Sequence, residues 1–119
     1  MIILTNCFVA LVAFLHACFL VLEMFLWSKP LGRRIFGLSP EVMAASAILA
    51  ANQGLYNGFL AAGLIWGLWQ WADGFGIKVF FLICVIAAGL FGGATAKRTI
   101  LWIQALPGAI ALALVLSMK

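Results

Sequence analysis

Residues 2–27 read IILTNCFVALVAFLHACFLVLEMFLW, and this stretch decides the fold. It holds no Lys or Arg, one carboxylic acid (Glu23) and one imidazole (His16). A helix crosses a bilayer with about 20 mainly apolar residues at about 1.5 Å rise each. The stretch exceeds that requirement. Three further windows repeat the pattern: residues 42–70, 77–94 and 99–118. Their sum predicts an all-α, integral membrane four-helix bundle, a single four-span domain over residues 1–119. No strand periodicity, repeat or low-complexity tract competes with it. The first segment lacks the basic start and small-residue cleavage site of a secretory leader, so it is expected to be a retained span.

Composition agrees. Apolar types make up 67% of the 119 residues and charged ones only 8%, with a formal net charge of +4. A soluble domain carries about 25% charged residues. So few charges cannot cover the surface of a soluble fold this small. They also exclude a disordered chain, two large domains and a nucleic-acid partner, which needs a basic surface. The lipid bilayer is the partner that fits. Cys7, Cys18 and Cys84 lie in apolar runs and read as small buried side chains. Cys7 and Cys18 stand about 16 Å apart along one helix and cannot bond to each other.

The breaks between windows carry turn chemistry. Residues 28–41 contain Pro30, Gly32, Gly37 and Pro40. Within them Ser39-Pro40-Glu41 reads as a helix start: a capping hydroxyl, a proline in the first turn and an acid at the positive dipole end. Residues 71–76 contain Asp73-Gly74 and Gly76, and residues 95–98 form a tight basic turn. Basic residues sit in these breaks and at the end. Lys29, Arg33 and Arg34 follow the first window, and Lys97 and Arg98 follow the third; Lys78 and Lys119 fall to the other side. The positive-inside rule then places both termini outside the cytoplasm, periplasmic or extracellular, and the two basic loops inside. Trp27 and Trp102 fit the inner interface, and Trp66, Trp69 and Trp71 the outer one. Lys29, Arg33, Arg34, Lys97 and Arg98 are expected to contact anionic lipid headgroups. Gly54, Gly58 and Ala62, Gly63 and Gly67, and Gly89 and Gly93 form small-residue stripes that let helices approach closely, within one chain or between copies in a homo-oligomer.

Polar residues inside the apolar windows carry the functional content. His16 and Glu23 are seven apart, two turns along one face of the first helix. An acid within a span costs about 2.5–3.5 kcal/mol on insertion scales, so it persists where it is paired, neutral or wetted. The second window carries Asn52, Gln53, Tyr56 and Asn57. Gln53 and Asn57 share a face with Ser46, while Asn52 and Tyr56 share another about 100° away. The fourth carries Gln104, followed by Pro107-Gly108, a pair able to kink the helix and free backbone carbonyls. These placements predict a polar pocket in the cytoplasmic half of the bundle. His16, Glu23, Gln53 and Asn57 would line it, with Asn52, Tyr56 and Gln104 close by. Amides alone serve as glue between helices; an acid is a poor choice for that. One His and one acid fall short of a metal site. No cofactor fingerprint or nucleophile triad is present.

Several of these stretches also resemble one known family. They are His16 with Leu22-Glu23-Met24-Phe25-Leu26-Trp27, Phe36-Gly37-Leu38-Ser39-Pro40, Ala51-Asn52-Gln53-Gly54-Leu55-Tyr56-Asn57-Gly58-Phe59 and Gln104-Ala105-Leu106-Pro107. Together they resemble a family of small bacterial membrane proteins described as a domain of unknown function, with four spans. The resemblance covers essentially the whole chain and implies a bacterial inner-membrane location. It supplies no activity.

Three functions fit this reading. In the first, the pocket binds a small, partly lipophilic molecule, and His16 and Glu23 could act on it as acid and base. In the second, the chain is a proton-coupled transporter that works as a homo-oligomer. In the third, it is a structural or partner-binding membrane subunit. The sequence leaves enzyme and non-enzyme both open.

Overall fold

Unbroken apolar sequence and the absence of internal proline make the leading stretch a helix, α1 (Ile2–Met24). The computed structural model describes all residues from Met1 to Lys119 and is all-α. After α1 come α2 (Pro30–Phe36), α3 (Pro40–Trp69), α4 (Phe75–Thr95) and α5 (Leu106–Leu116), the last continuing a wide π turn over Leu101–Ala105. α1 and α4 are each long and apolar enough to cross a membrane. α3 with α2, from which it is bent by 96°, is a candidate third span, so two or three candidate spans stand where four are expected. Leu101–Leu116 is a shorter apolar helix. At helical rise it runs about 24 Å, against a hydrocarbon core of about 30 Å.

By backbone contacts the chain forms two units, His16–Phe59 and Met1–Leu15 with Leu60–Lys119. In the first, α1 stops at Met24, three residues before the expected Trp27. The Phe25 and Leu26 amides both donate to the Val21 carbonyl, at 3.0 and 3.2 Å, which closes the helix. Trp27 is drawn out of it: its indole N–H lies 3.1 Å from both the Met43 carbonyl and Ser46 Oγ. Residues 28–41 are more than a loop, because they hold α2. Pro30 starts it and Gly37, at φ 65°, ends it in the left-handed region, donating to the Arg33 carbonyl. Glycine adopts that conformation without the steric cost other residues carry. The expected start of α3 is observed: the Val42 amide donates to Ser39 Oγ at 3.3 Å, Pro40 opens the helix and Glu41 lies in its first turn.

The other unit holds the apolar core. Val9, Val12 and Ala13 of α1, Leu64 of α3, Leu82 and Val85 of α4, and Ala111 and Val115 of α5 are buried together. On α4, Gly89 lets backbone meet backbone: an added Cβ there would lie 2.7 Å from the Ala105 backbone nitrogen. The small-residue stripe on α4 therefore lets its backbone meet the π turn directly. That turn has a cause in the sequence. Pro107 has no N–H to give the carbonyl four residues back, and the wide turn directly before α5 returns the Leu106 amide to the Leu101 carbonyl. The kink expected at Pro107-Gly108 is thus taken up by a π turn that contains Gln104.

Candidate functional site

In the unit His16–Phe59, α1 carries His16 and Glu23 toward the interior. His16 is 0% exposed and Glu23 6%. Seven residues along one helix place the two on one face, about 10 Å apart along the axis. The His16 ring meets Phe19 edge-on, with centroids 5.4 Å apart. α3 faces Glu23 with Asn57, which is 8% exposed. Asn57 Nδ2 donates to Glu23 Oε1 at 2.6 Å.

Two features let these groups meet. A Cβ added at Gly54 would lie 2.7 Å from Met24 Cγ, 3.0 Å from Glu23 Cβ and 3.2 Å from the Leu20 carbonyl oxygen. The missing side chain therefore lets α3 come against the turn of α1 that bears Glu23. Asn57 lies three residues beyond Gly54, on the same face of α3. Its amide then stands opposite the carboxyl group across the close contact. Such a pair satisfies the acid with a neutral donor, which keeps a second charge out of an apolar interior.

The remaining residues singled out in the sequence are arranged differently. Asn52, Gln53 and Tyr56 are exposed on α3, and Tyr56 packs beside Phe59 at 6.0 Å between ring centroids. Gln53 therefore lies apart from the buried face that Asn57 occupies. One turn of helix separates them, but the close contact at Gly54 admits only the side chain that points across it. Gln104 is half-buried in the π turn of the other unit. Lys29, Arg33, Arg34, Lys97 and Arg98 are all exposed. Of these, Arg33 donates from Nε to the Ser28 carbonyl at 3.1 Å. No group of three His, Cys, Asp or Glu side chains could hold a metal ion.

Sequence reasoning missed two features. Ser46 served only to mark a face of α3, yet it accepts the Trp27 indole and donates to the Val42 carbonyl at 2.6 Å. Lys78 was expected in a loop, but it lies in the first turn of α4 and is 3% exposed. Its Nζ donates to Asn6 Oδ1 at 3.1 Å and to the Trp71 carbonyl at 2.8 Å. The signal was available, since Lys78 follows Ile77 inside the third apolar window.

Comparison with known proteins places the chain among relatives of similar size. Residues 10–116 match the family described as "Protein of unknown function (DUF1304)". The "Uncharacterized protein YpaA" of Lactococcus lactis subsp. lactis (strain IL1403) is 33% identical over 106 residues, which cover 87% of this chain and 89% of that protein. No solved structure matches the chain.

Proposed function

The chain belongs to the DUF1304 family of unknown function, and from that premise we propose that His16, Glu23 and Asn57 form a site for a small, partly lipophilic molecule. One observation carries the reading: a buried carboxyl group held at 2.6 Å by a buried amide, on the helix face that also buries an imidazole. Two proton-exchanging groups about 10 Å apart cannot touch each other. A molecule lying along the face could meet both. Asn57 would orient the carboxyl group, Glu23 would exchange a proton with a polar head, and His16 would take the other end. In this reading the protein sits in the bacterial membrane as a four-span bundle, with Leu101–Leu116 as the fourth and shortest crossing. Its termini face outward, and Lys29, Arg33, Arg34, Lys97 and Arg98 anchor the inner side to anionic headgroups.

The test is the small-molecule content of the purified chain, extracted and analysed by mass spectrometry for wild type, Glu23→Gln and His16→Ala. The expected result is a stoichiometric compound on wild type that is lost in both variants while thermal unfolding stays close to wild type. A variant that unfolds more easily, beside a wild type that never carries a compound, leaves the buried pair as packing alone.

A second reading has its own observation. Asn52, Gln53 and Tyr56 present polar groups on an exposed face of α3, where lipid would leave them unsatisfied. Amides both donate and accept, so the same face on a second copy could satisfy them. This favours a homo-oligomer, in which Glu23 would serve proton-coupled transport. Uptake into proteoliposomes driven by a pH gradient, and abolished by Glu23→Gln, is the result that selects it.

A further inference from the structure

Lys78 is a buried ammonium whose two protein partners, Asn6 Oδ1 and the Trp71 carbonyl, are both neutral. Two neutral oxygens solvate such a charge only in part. Removing an ion from water costs several kcal/mol unless a counter-charge or a full set of hydrogen bonds offsets it. An ammonium has three donors, so one remains beyond Asn6 and Trp71. Lys78 also forms part of the wall of a cleft of about 320 Å³, within the unit Met1–Leu15 with Leu60–Lys119. That volume lies at the lower end of the range for small-molecule sites.

The chemistry of the cleft is lopsided. Lys119 stands on the same wall and places its Nζ 5.0 Å from the Phe75 ring centroid. No Asp or Glu lines the cleft. Asp73, the acid nearest in sequence, is exposed in the α3–α4 turn. The Thr5 hydroxyl on the wall donates to the Met1 carbonyl at 3.1 Å. The rest of the lining is mainly apolar, with Trp71, Phe75 and Val115. A buried ammonium, Lys78, with no acidic side chain on the lining and an apolar floor beneath it, matches a group that is anionic at one end and hydrocarbon at the other.

We propose that this cleft binds the oxyanion headgroup of an amphiphile, a phosphate or carboxylate, with Lys78 as its buried anchor and the alkyl chain against Phe75 and Val115. The site is separate from the His16, Glu23 and Asn57 face and does not depend on how that face is read.

The experiment uses the full chain purified in a neutral detergent and dodecyl phosphate as probe, with binding counted by native mass spectrometry. Dodecanol is the neutral control. The expected result is one dodecyl phosphate per chain, held at least about tenfold more tightly than dodecanol. Lys78→Met is expected to weaken it by about tenfold or more. Ala72→Glu, on an exposed residue of the lining, is expected to weaken it about threefold by like-charge repulsion. This second variant leaves Lys78 and its hydrogen bonds in place, so it decides the matter even where Lys78→Met fails to fold. Inorganic phosphate in millimolar excess separates the sources. Displacement of the probe supports a site for free oxyanions, and no displacement supports one that requires the attached chain. Dodecanol bound as tightly as dodecyl phosphate, or dodecyl phosphate binding unchanged by Ala72→Glu, overturns the proposal.

Discussion

Each unit buries an ionisable side chain that neutral partners hold, and the two are held in opposite ways. In His16–Phe59 the buried group is an acid, Glu23, and a single side-chain amide donates to it at 2.6 Å. In the unit around α4 and α5 it is a base, Lys78, and it donates to one side-chain carbonyl and one backbone carbonyl. Neither pairing brings in an opposite charge. The difference lies in what the partners do for the fold. Asn57 serves Glu23 alone. The Trp71 carbonyl belongs to the residue that ends the α3 turn at φ 50°, so Lys78 also staples a helix terminus. Left-handed backbone costs a non-glycine residue about 1–2 kcal/mol. A cation on a carbonyl at a helix C-terminus offsets part of that. A buried ionisable group can thus be held by neutral partners alone, and the partner can at the same time secure a helix end.

Five substitutions probe this difference. The largest effect is expected from Asn57→Leu, which leaves the Glu23 carboxyl group buried without its donor and should cost about 1–3 kcal/mol. Adding Glu23→Leu in the same chain should recover much of that loss, because replacing both partners by apolar groups is close to neutral. Unfolding of the single and double variants in detergent measures the coupling, and strictly additive losses would mean the two side chains do not interact. Next comes Lys78→Met, which strands Asn6 Oδ1 and loosens the α3 terminus. A loss of about 1–2 kcal/mol is expected, with faster amide exchange around Trp71 as its local signature. Exchange that stays at the wild-type rate there would separate Lys78 from the turn.

Smaller effects test the surroundings. Trp27→Phe keeps the ring and deletes an N–H shared between Met43 and Ser46, for about 1 kcal/mol. The change should appear as fraying between α1 and α2 in hydrogen exchange. The last is a gain: Gly76→Ala in the exposed first turn of α4, where an added Cβ meets nothing within 4 Å. It should stabilise by about 0.5–1 kcal/mol through helix propensity and a less flexible unfolded chain. Thermal unfolding reads it directly. A loss instead of a gain would show that the start of α4 needs the freedom of glycine.

How far the chain could be read in advance differs between elements for physical reasons. α1 and α4 were legible because unbroken apolar runs have one low-energy solution in lipid, the helix. The start of α3 was legible because Ser39, Pro40 and Glu41 each act within one turn of where they stand. α2 was hidden, since seven residues with two arginines and a glycine show no span pattern. Pro30 and Gly37 bound it locally, and the Phe36 ring lies 4.5 Å from that of Trp27, beyond the short segment itself. The buried face was legible in part. Periodicity put His16 and Glu23 together and named Asn57, but it grouped Gln53 with them. Facing an adjacent helix depends on where two backbones touch, and that contact is set at Gly54.

Read residue by residue, the chain is helical, rich in apolar runs long enough to cross a membrane, and carries an acid and an imidazole on one helix face. Hydropathy and the helical repeat are short-range properties, so they are written residue by residue. Packing settled which amide answers Glu23 and which oxygens answer Lys78. Glu23 with Asn57 and Lys78 with Asn6 join residues 34 and 72 apart, and separations of that length are resolved by packing alone.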